Sequence, residues 1–154
     1  MATRISRPAR FYGALARAEM VTWAVLLLGM VLKYAAGQDW ATSVGGGIHG
    51  FVFLCYCVAT VVVAVDHRWS ARDLALGLGS SVVPFCTLPF ERSAERRGLL
   101  DGDWRLRDGA AQGPVEGAVK WGLANAAQAA LAALVLVVVV FALLLVAGPP
   151  TQWF

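Results

Sequence analysis

Glu19, Lys33, Tyr34, His49, Tyr56 and Glu91 are the side chains in this sequence whose types invite chemistry, because each interrupts or flanks an apolar run. At 100° per residue, Glu19, Trp23, Leu26, Met30 and Lys33 fall within about 40° of one direction on a first helix. His49, Phe53, Tyr56 and Thr60 form a stripe on a second helix by the same arithmetic. A short turn between these helices makes them antiparallel neighbours. It places Lys33 and Tyr34 at the depth of His49, with Glu91 joining them if a third run spans. Lys33, Tyr34, His49, Tyr56 and Glu91 are therefore a candidate polar cluster near the outer membrane interface. Ionisable groups at such depth are costly, so they default to a functional hypothesis. The alternatives are a structural tie between helices and a site for a ligand, proton or substrate.

The elements that must hold these residues follow from the distribution of charge. The chain is 58% hydrophobic and only 15% charged, against about a quarter charged in an ordinary soluble domain; its mean hydropathy is +0.64. Charges collect in the N-terminal tail, around Asp66–Asp73, and between Glu91 and Lys120. Apolar runs of membrane-spanning length separate them. The expected fold is all-α and integral to a membrane: a small bundle of four transmembrane helices.

The first run, Met20–Leu32, is extended by its flanks, since Glu19 to Lys33 covers about 21 Å of helix. A cleaved signal peptide is the weaker alternative, because Lys33-Tyr34 stands where small neutral residues belong. Gly37–Gly47, with its Gly45-Gly46-Gly47 triplet, is expected as a turn. Ile48–Val65 is the second span. Leu74–Phe90 is short and holds Pro84 and Pro89; a kinked third span is expected, with a re-entrant hairpin as the rival. Glu91–Lys120 carries six basic and six acidic residues and is expected as a solvated loop with a short surface helix near Leu99–Leu106. The fourth span starts at Trp121 and stops near Ala147, before Gly148-Pro149-Pro150. Its small residues Ala126, Ala129, Ala130 and Ala133, with Asn125 and Gln128, are the candidate helix-packing or partner face. The organisation is thus a basic cytoplasmic segment (1–18), a three-helix membrane domain (19–92), a charged loop (93–119) and a C-terminal helix with a tail (120–154).

Several functions are excluded. The net charge of +3 resides in the tail arginines Arg4, Arg7, Arg10 and Arg17, which act as a cytoplasmic anchor rather than a nucleic-acid footprint. Cys55 and Cys57 point about 200° apart on a helix, and they and Cys86 are expected as inert apolar-phase thiols. His49 and His67 sit at opposite ends of one helix and cannot share a haem. No Walker loop, H-E-x-x-H or G-x-S-x-G occurs, and convergent zinc ligands are lacking. No cofactor, metal or enzymatic activity is expected.

From about Ala14 to Arg92 the sequence resembles the bacterial membrane family catalogued as domain of unknown function 3817. The likeness rests on Glu19, Lys33-Tyr34, the G-x-H-G of Gly47, His49 and Gly50, then Phe53, Tyr56, Arg68-Trp69, Pro84-Phe85 and Thr87. Val31 and Cys86 depart from the family pattern, which has proline and glycine there. The resemblance implies a plasma-membrane protein without assigned activity. The expected partners are the lipid bilayer and other membrane proteins or a second copy. The expected role is a non-enzymatic accessory subunit of a larger membrane complex, with a respiratory host as one candidate. The alternative is a homo-oligomeric carrier or ion- or proton-conducting protein built on the Lys/His/Tyr cluster. A lipid-directed enzyme is a third, remote option.

Overall fold

The computed structural model describes residues 7–147; the expected helix stop at Gly148–Pro150 lies outside them. Among the described residues the secondary structure is entirely helical. Three helices are long and apolar enough to cross a membrane: α1 (Pro8–Ala36), α2 (Asp39–Asp66) and α7 (Ala126–Ala147).

Helix α1 starts with Pro8 in its first turn, where the missing N–H costs nothing. It ends at Gly37, whose φ of 67° only glycine adopts readily. Gly37 N donates to the Lys33 carbonyl and Gln38 N to the Leu32 carbonyl, a left-handed glycine cap that closes the helix within two residues. Helix α2 therefore begins at Asp39. The segment expected as a long turn, Gly37–Gly47, is a turn only at Gly37-Gln38.

The glycines of that segment serve packing instead. A Cβ on Gly45 would lie 3.2 Å from the Val25 carbonyl oxygen, and one on Gly29 would lie 2.6 Å from that of Ala41. These small residues let α1 and α2 approach backbone to backbone. The Thr42 hydroxyl donates to the Gly29 carbonyl across the same contact, at 3.1 Å.

The third apolar run is two short helices, α3 (Ala71–Val82) and α4 (Thr87–Arg96). Pro84 cannot continue α3, and Phe85 takes a φ of 64° to reverse the chain. Pro89 falls in the first turn of α4, where it is tolerated. Ser70 caps α3 by accepting from Asp73 N at 3.1 Å. The pair closes into a hairpin: Arg97 at the end of α4 meets Asp73 at the start of α3, at 2.6 Å. The Trp69 indole donates to the Leu99 carbonyl at 2.8 Å. At the level of α1's middle, the Trp23 indole donates to the Ser81 carbonyl. The Thr87 hydroxyl donates to the carbonyl of Ala16.

The charged segment is tied down rather than loose. Leu106 is buried, and Leu100 and Trp104 join the core of Tyr12, Tyr56, Val63 and Ala94. Its helices are α5 (Arg105–Asp108) and α6 (Gly113–Ala124). The chain bends sharply at Asn125 between α6 and α7, where a Cβ on Gly122 would touch Ala129 at 3.4 Å. α7 then runs antiparallel along α2, with Phe141 against Gly50.

Candidate functional site

Helix α2 begins nine residues earlier than Ile48, and that sets the position of His49. Ten residues separate His49 from Asp39, so it lies about 15 Å into the helix. Its neighbours are Glu19 and Thr22 rather than Lys33. His49 Nδ1 is 3.3 Å from the Thr22 hydroxyl and 3.7 Å from Glu19 Oε2. The same hydroxyl is 3.4 Å from Glu19 Oε2 and donates to the Glu19 carbonyl at 3.0 Å, the back-bond typical of threonine in helices. Glu19 is completely buried, and its Oε1 has no hydrogen-bond partner. The Trp23 ring lies over the imidazole with centroids 4.3 Å apart, and Phe53 flanks it at 6.3 Å.

A second polar cluster sits one to two turns nearer the N-terminus of α1. The Tyr12 and Tyr56 hydroxyls are 2.6 Å apart. Tyr12 also reaches the Thr60 hydroxyl, and Tyr56 the Ser80 hydroxyl, each at 3.1 Å. Tyr12, Tyr56 and Thr60 are fully buried. Ser81, next along α3, faces the Cys57 thiol at 3.8 Å.

A third group locks the charged segment to α2. Asp66 accepts from the backbone N–H groups of Arg105 and Leu106, both at 2.9 Å. His67 Nδ1 is 3.0 Å from the same carboxylate. Arg105 covers the end of α2 by donating to the Asp66 and Val65 carbonyls, the acceptors a helix terminus leaves open. Arg105 also binds Glu116 at 2.8 Å. Glu116 accepts from Gln112 N as well; that bond and Arg105 hold its carboxyl below the usual carboxylate range.

The expected cluster is therefore dispersed. Lys33 pairs with Asp39 at 3.3 Å beside the turn, and Tyr34 is 79% exposed. Glu91 returns to the opposite end, over Gly13, where a Cβ would meet its Oε1 at 2.7 Å. His49 and Tyr56 share the α1–α2 seam as their stripe requires, but in separate networks. On α7, Ala126, Ala129, Ala130 and Ala133 line an apolar cavity of about 730 Å³ against α2 and α6. Asn125 donates to the Trp121 carbonyl at the bend. Gln128 is exposed on the other face. Residues not anticipated as site members are Glu19, Thr22, Tyr12, Ser80, Asp66 and Arg105. Their signal was pairing across helices, which appears only once α2 is known to start at Asp39. Among the described residues no group of His, Cys, Asp and Glu converges to hold a metal ion.

The profile of the family described as "Domain of unknown function (DUF3817)" matches residues 9–96. This chain belongs to that family. The match runs from α1 to the end of α4 and so contains the Glu19–His49 and Tyr12–Tyr56 clusters. The chain is 38% identical over 100 residues to a Streptomyces coelicolor protein named "Putative membrane protein SCO5905". That alignment covers 64% of this chain and 12% of the relative, so the chain spans a small fraction of the longer protein. It is 29% identical over 68 residues to "Uncharacterized membrane protein YdzA" of Bacillus subtilis, covering 44% of this chain and 71% of that one. No solved structure matches.

Proposed function

We propose that this protein is a three-span plasma-membrane module that serves as a non-enzymatic accessory subunit of a larger membrane protein. In this topology α1, α2 and α7 cross the bilayer. α3 and α4 enter and leave on one side, and the segment from Glu91 to Lys120 shares that side with the N-terminus. The distribution of charge favours it. Among the described residues every arginine, and Lys120, belongs to the end where α1 starts and α2 finishes, and Lys33 alone lies at the other end. Such an imbalance puts the arginine-rich end in the cytoplasm. It also removes the difficulty a fourth full span would create, which is a loop with six basic residues outside. The far end of α7 then lies outside.

The observation that carries the accessory role is the Streptomyces relative. There a segment homologous to most of this chain is 12% of a much longer membrane protein, a module physically joined to a larger one. Helix α7 suits such docking. Of its 22 residues only Val137 is buried, Leu131, Leu134, Val138 and Leu145 are exposed, and Gln128 faces away from the protein's own helices. An amide at a lipid-facing position gains most from a hydrogen bond across a helix–helix contact.

The test is a mild-detergent purification of the tagged protein from its own membranes, with mass spectrometry of what accompanies it. The expected result is a stoichiometric larger membrane protein whose recovery drops at least tenfold with Gln128→Leu combined with Leu131→Trp. Recovery of the protein only with itself, as a defined oligomer, overturns the accessory role. It would favour the alternative of a homo-oligomeric carrier or proton-conducting protein, which the buried Glu19 and His49 support.

A further inference from the structure

The α1–α2 seam encloses an acid and a base with almost no other company. Glu19 is fully buried and His49 nearly so. They face each other across 3.7 Å with the Thr22 hydroxyl within 3.4 Å of both. The other titratable group beside them on α2 is the Cys57 thiol, next to Ser81 of α3. α3 offers Ser80 and Ser81 but no charge to this point, and α7 carries no charge at all. From α4, Glu91 and Thr87 face Gly13 and Ala16, more than half a turn nearer the N-terminus, where the Arg17 guanidinium also points. No cation therefore neutralises Glu19 except through His49.

From this enclosure we infer that Glu19 and His49 form a single-proton binding site inside the membrane. With one proton the pair is electrically neutral, whether as acid and imidazole or as carboxylate and imidazolium. Removing that proton leaves one negative charge in a low-dielectric seam, and adding a second leaves one positive charge. Either state is costly in a bilayer interior. The two groups consequently titrate as a unit rather than as two residues. Glu19 Oε1, buried without a partner, is the atom that an entering water would hydrogen-bond and on which a proton would remove the buried charge.

The surroundings also give the site a direction. Toward Lys33 the helices are pressed backbone to backbone at Gly29–Ala41 and Gly45–Val25. Toward the arginine-rich end the seam holds Cys57, Ser81, Ser80, Tyr56, Tyr12 and Thr60, all with hydroxyl or thiol groups. Exchange of the proton with solvent takes place through that end. This inference is independent of the accessory role, since a docked subunit and a free one would carry the same pair.

The test uses the full chain in lipid vesicles. The carboxylic acid carbonyl stretch of Glu19 is followed by infrared spectroscopy across pH, assigned by Glu19→Gln. The ring nitrogens of His49 are followed by nitrogen-15 magnetic resonance, with His67→Gln assigning the other histidine. Both signals are expected to change over the same pH range. Glu19→Gln should displace the His49 midpoint, and His49→Gln the Glu19 midpoint, by about one pH unit or more. Tyr56→Phe should slow proton exchange at the site without moving the midpoints. The proposal is overturned if the two groups titrate with unrelated midpoints. It is equally overturned if His49 behaves as a free imidazole near 6.5 whether or not Glu19 is present. Glu19→Gln preserves shape and the Thr22 contact; should it fail to fold, wild type and His49→Gln still decide.

Discussion

Asp73 and Glu116 show how single carboxylates fix the surface of this protein at its arginine-rich end. The Ser70 hydroxyl and the Arg97 guanidinium hold the Asp73 carboxyl below its ordinary range, and Gln112 N and Arg105 do the same for Glu116. A carboxyl lowered on folding adds stability that is complete above its unfolded value, near 4. That stability is lost as pH falls through the lower folded value. Thermal unfolding in detergent should therefore show the melting temperature falling as pH drops below about 4. Glu116→Gln combined with Asp73→Asn should flatten part of that slope while lowering the neutral-pH melting temperature. Both carboxyls lie at the surface but are only 15% and 13% exposed, so raised salt should shrink the difference only in part. An unchanged slope in the double variant would show that other carboxyls carry the acid sensitivity.

At the scale of elements, the seam between α1 and α2 depends on the absence of side chains. A Cβ at Gly29 would meet the Ala41 carbonyl at 2.6 Å, a backbone atom that cannot swing away. Gly29→Ala is expected to force the helices apart and destabilise by about 1–3 kcal/mol. Gly46→Ala meets only Leu26 at 3.8 Å, and Gly79→Ala meets nothing within 4 Å. Those two should be neutral or stabilising by up to about 1 kcal/mol, because alanine is the better helix former. Denaturant unfolding of the three variants separates close packing from helix propensity, and equal effects would refute the packing role of Gly29. The hairpin is the other decisive element. Pro84 and Phe85 reverse the chain and send Glu91 back to the end it left, which is why Glu91 never reaches Lys33.

For the molecule as a whole, the hairpin decides on which side the charged segment lies. Single cysteines at Arg10, Gln38, Glu95 and Ala110, placed in a background lacking Cys55, Cys57 and Cys86, report this with a membrane-impermeant maleimide. The expected pattern is labelling of Gln38→Cys from outside intact cells. The Arg10, Glu95 and Ala110 cysteines should be labelled only in inverted vesicles. Labelling of the Glu95 and Ala110 cysteines together with Gln38→Cys would establish four full spans and end the three-span topology. The arginine-rich end would then be divided between two faces, against the charge imbalance that motivates the present assignment.

Hydropathy and charge blocks alone determine that the chain is a helical membrane protein. The ordered motifs from Glu19 to Thr87 point to its family, because both depend only on local composition and spacing. The stripe of His49, Phe53, Tyr56 and Thr60 was equally legible, since a helix period needs no tertiary information. Which residue faces His49 was not. Glycines that signal a turn in water are good helix-interface residues in lipid, so Gly45–Gly47 did not reveal that α2 starts at Asp39. That shift of nine residues moves His49 by about 13 Å and exchanges Lys33 for Glu19 as its neighbour. Likewise, the two prolines of a short apolar run are compatible with a kink or a reversal. Only the contacts from Asp73 to Arg97 and from Thr87 to Ala16 select the reversal. Pairings between distant segments depend on where each helix begins and turns, and these are settled by packing across the seam rather than by any local stretch of sequence.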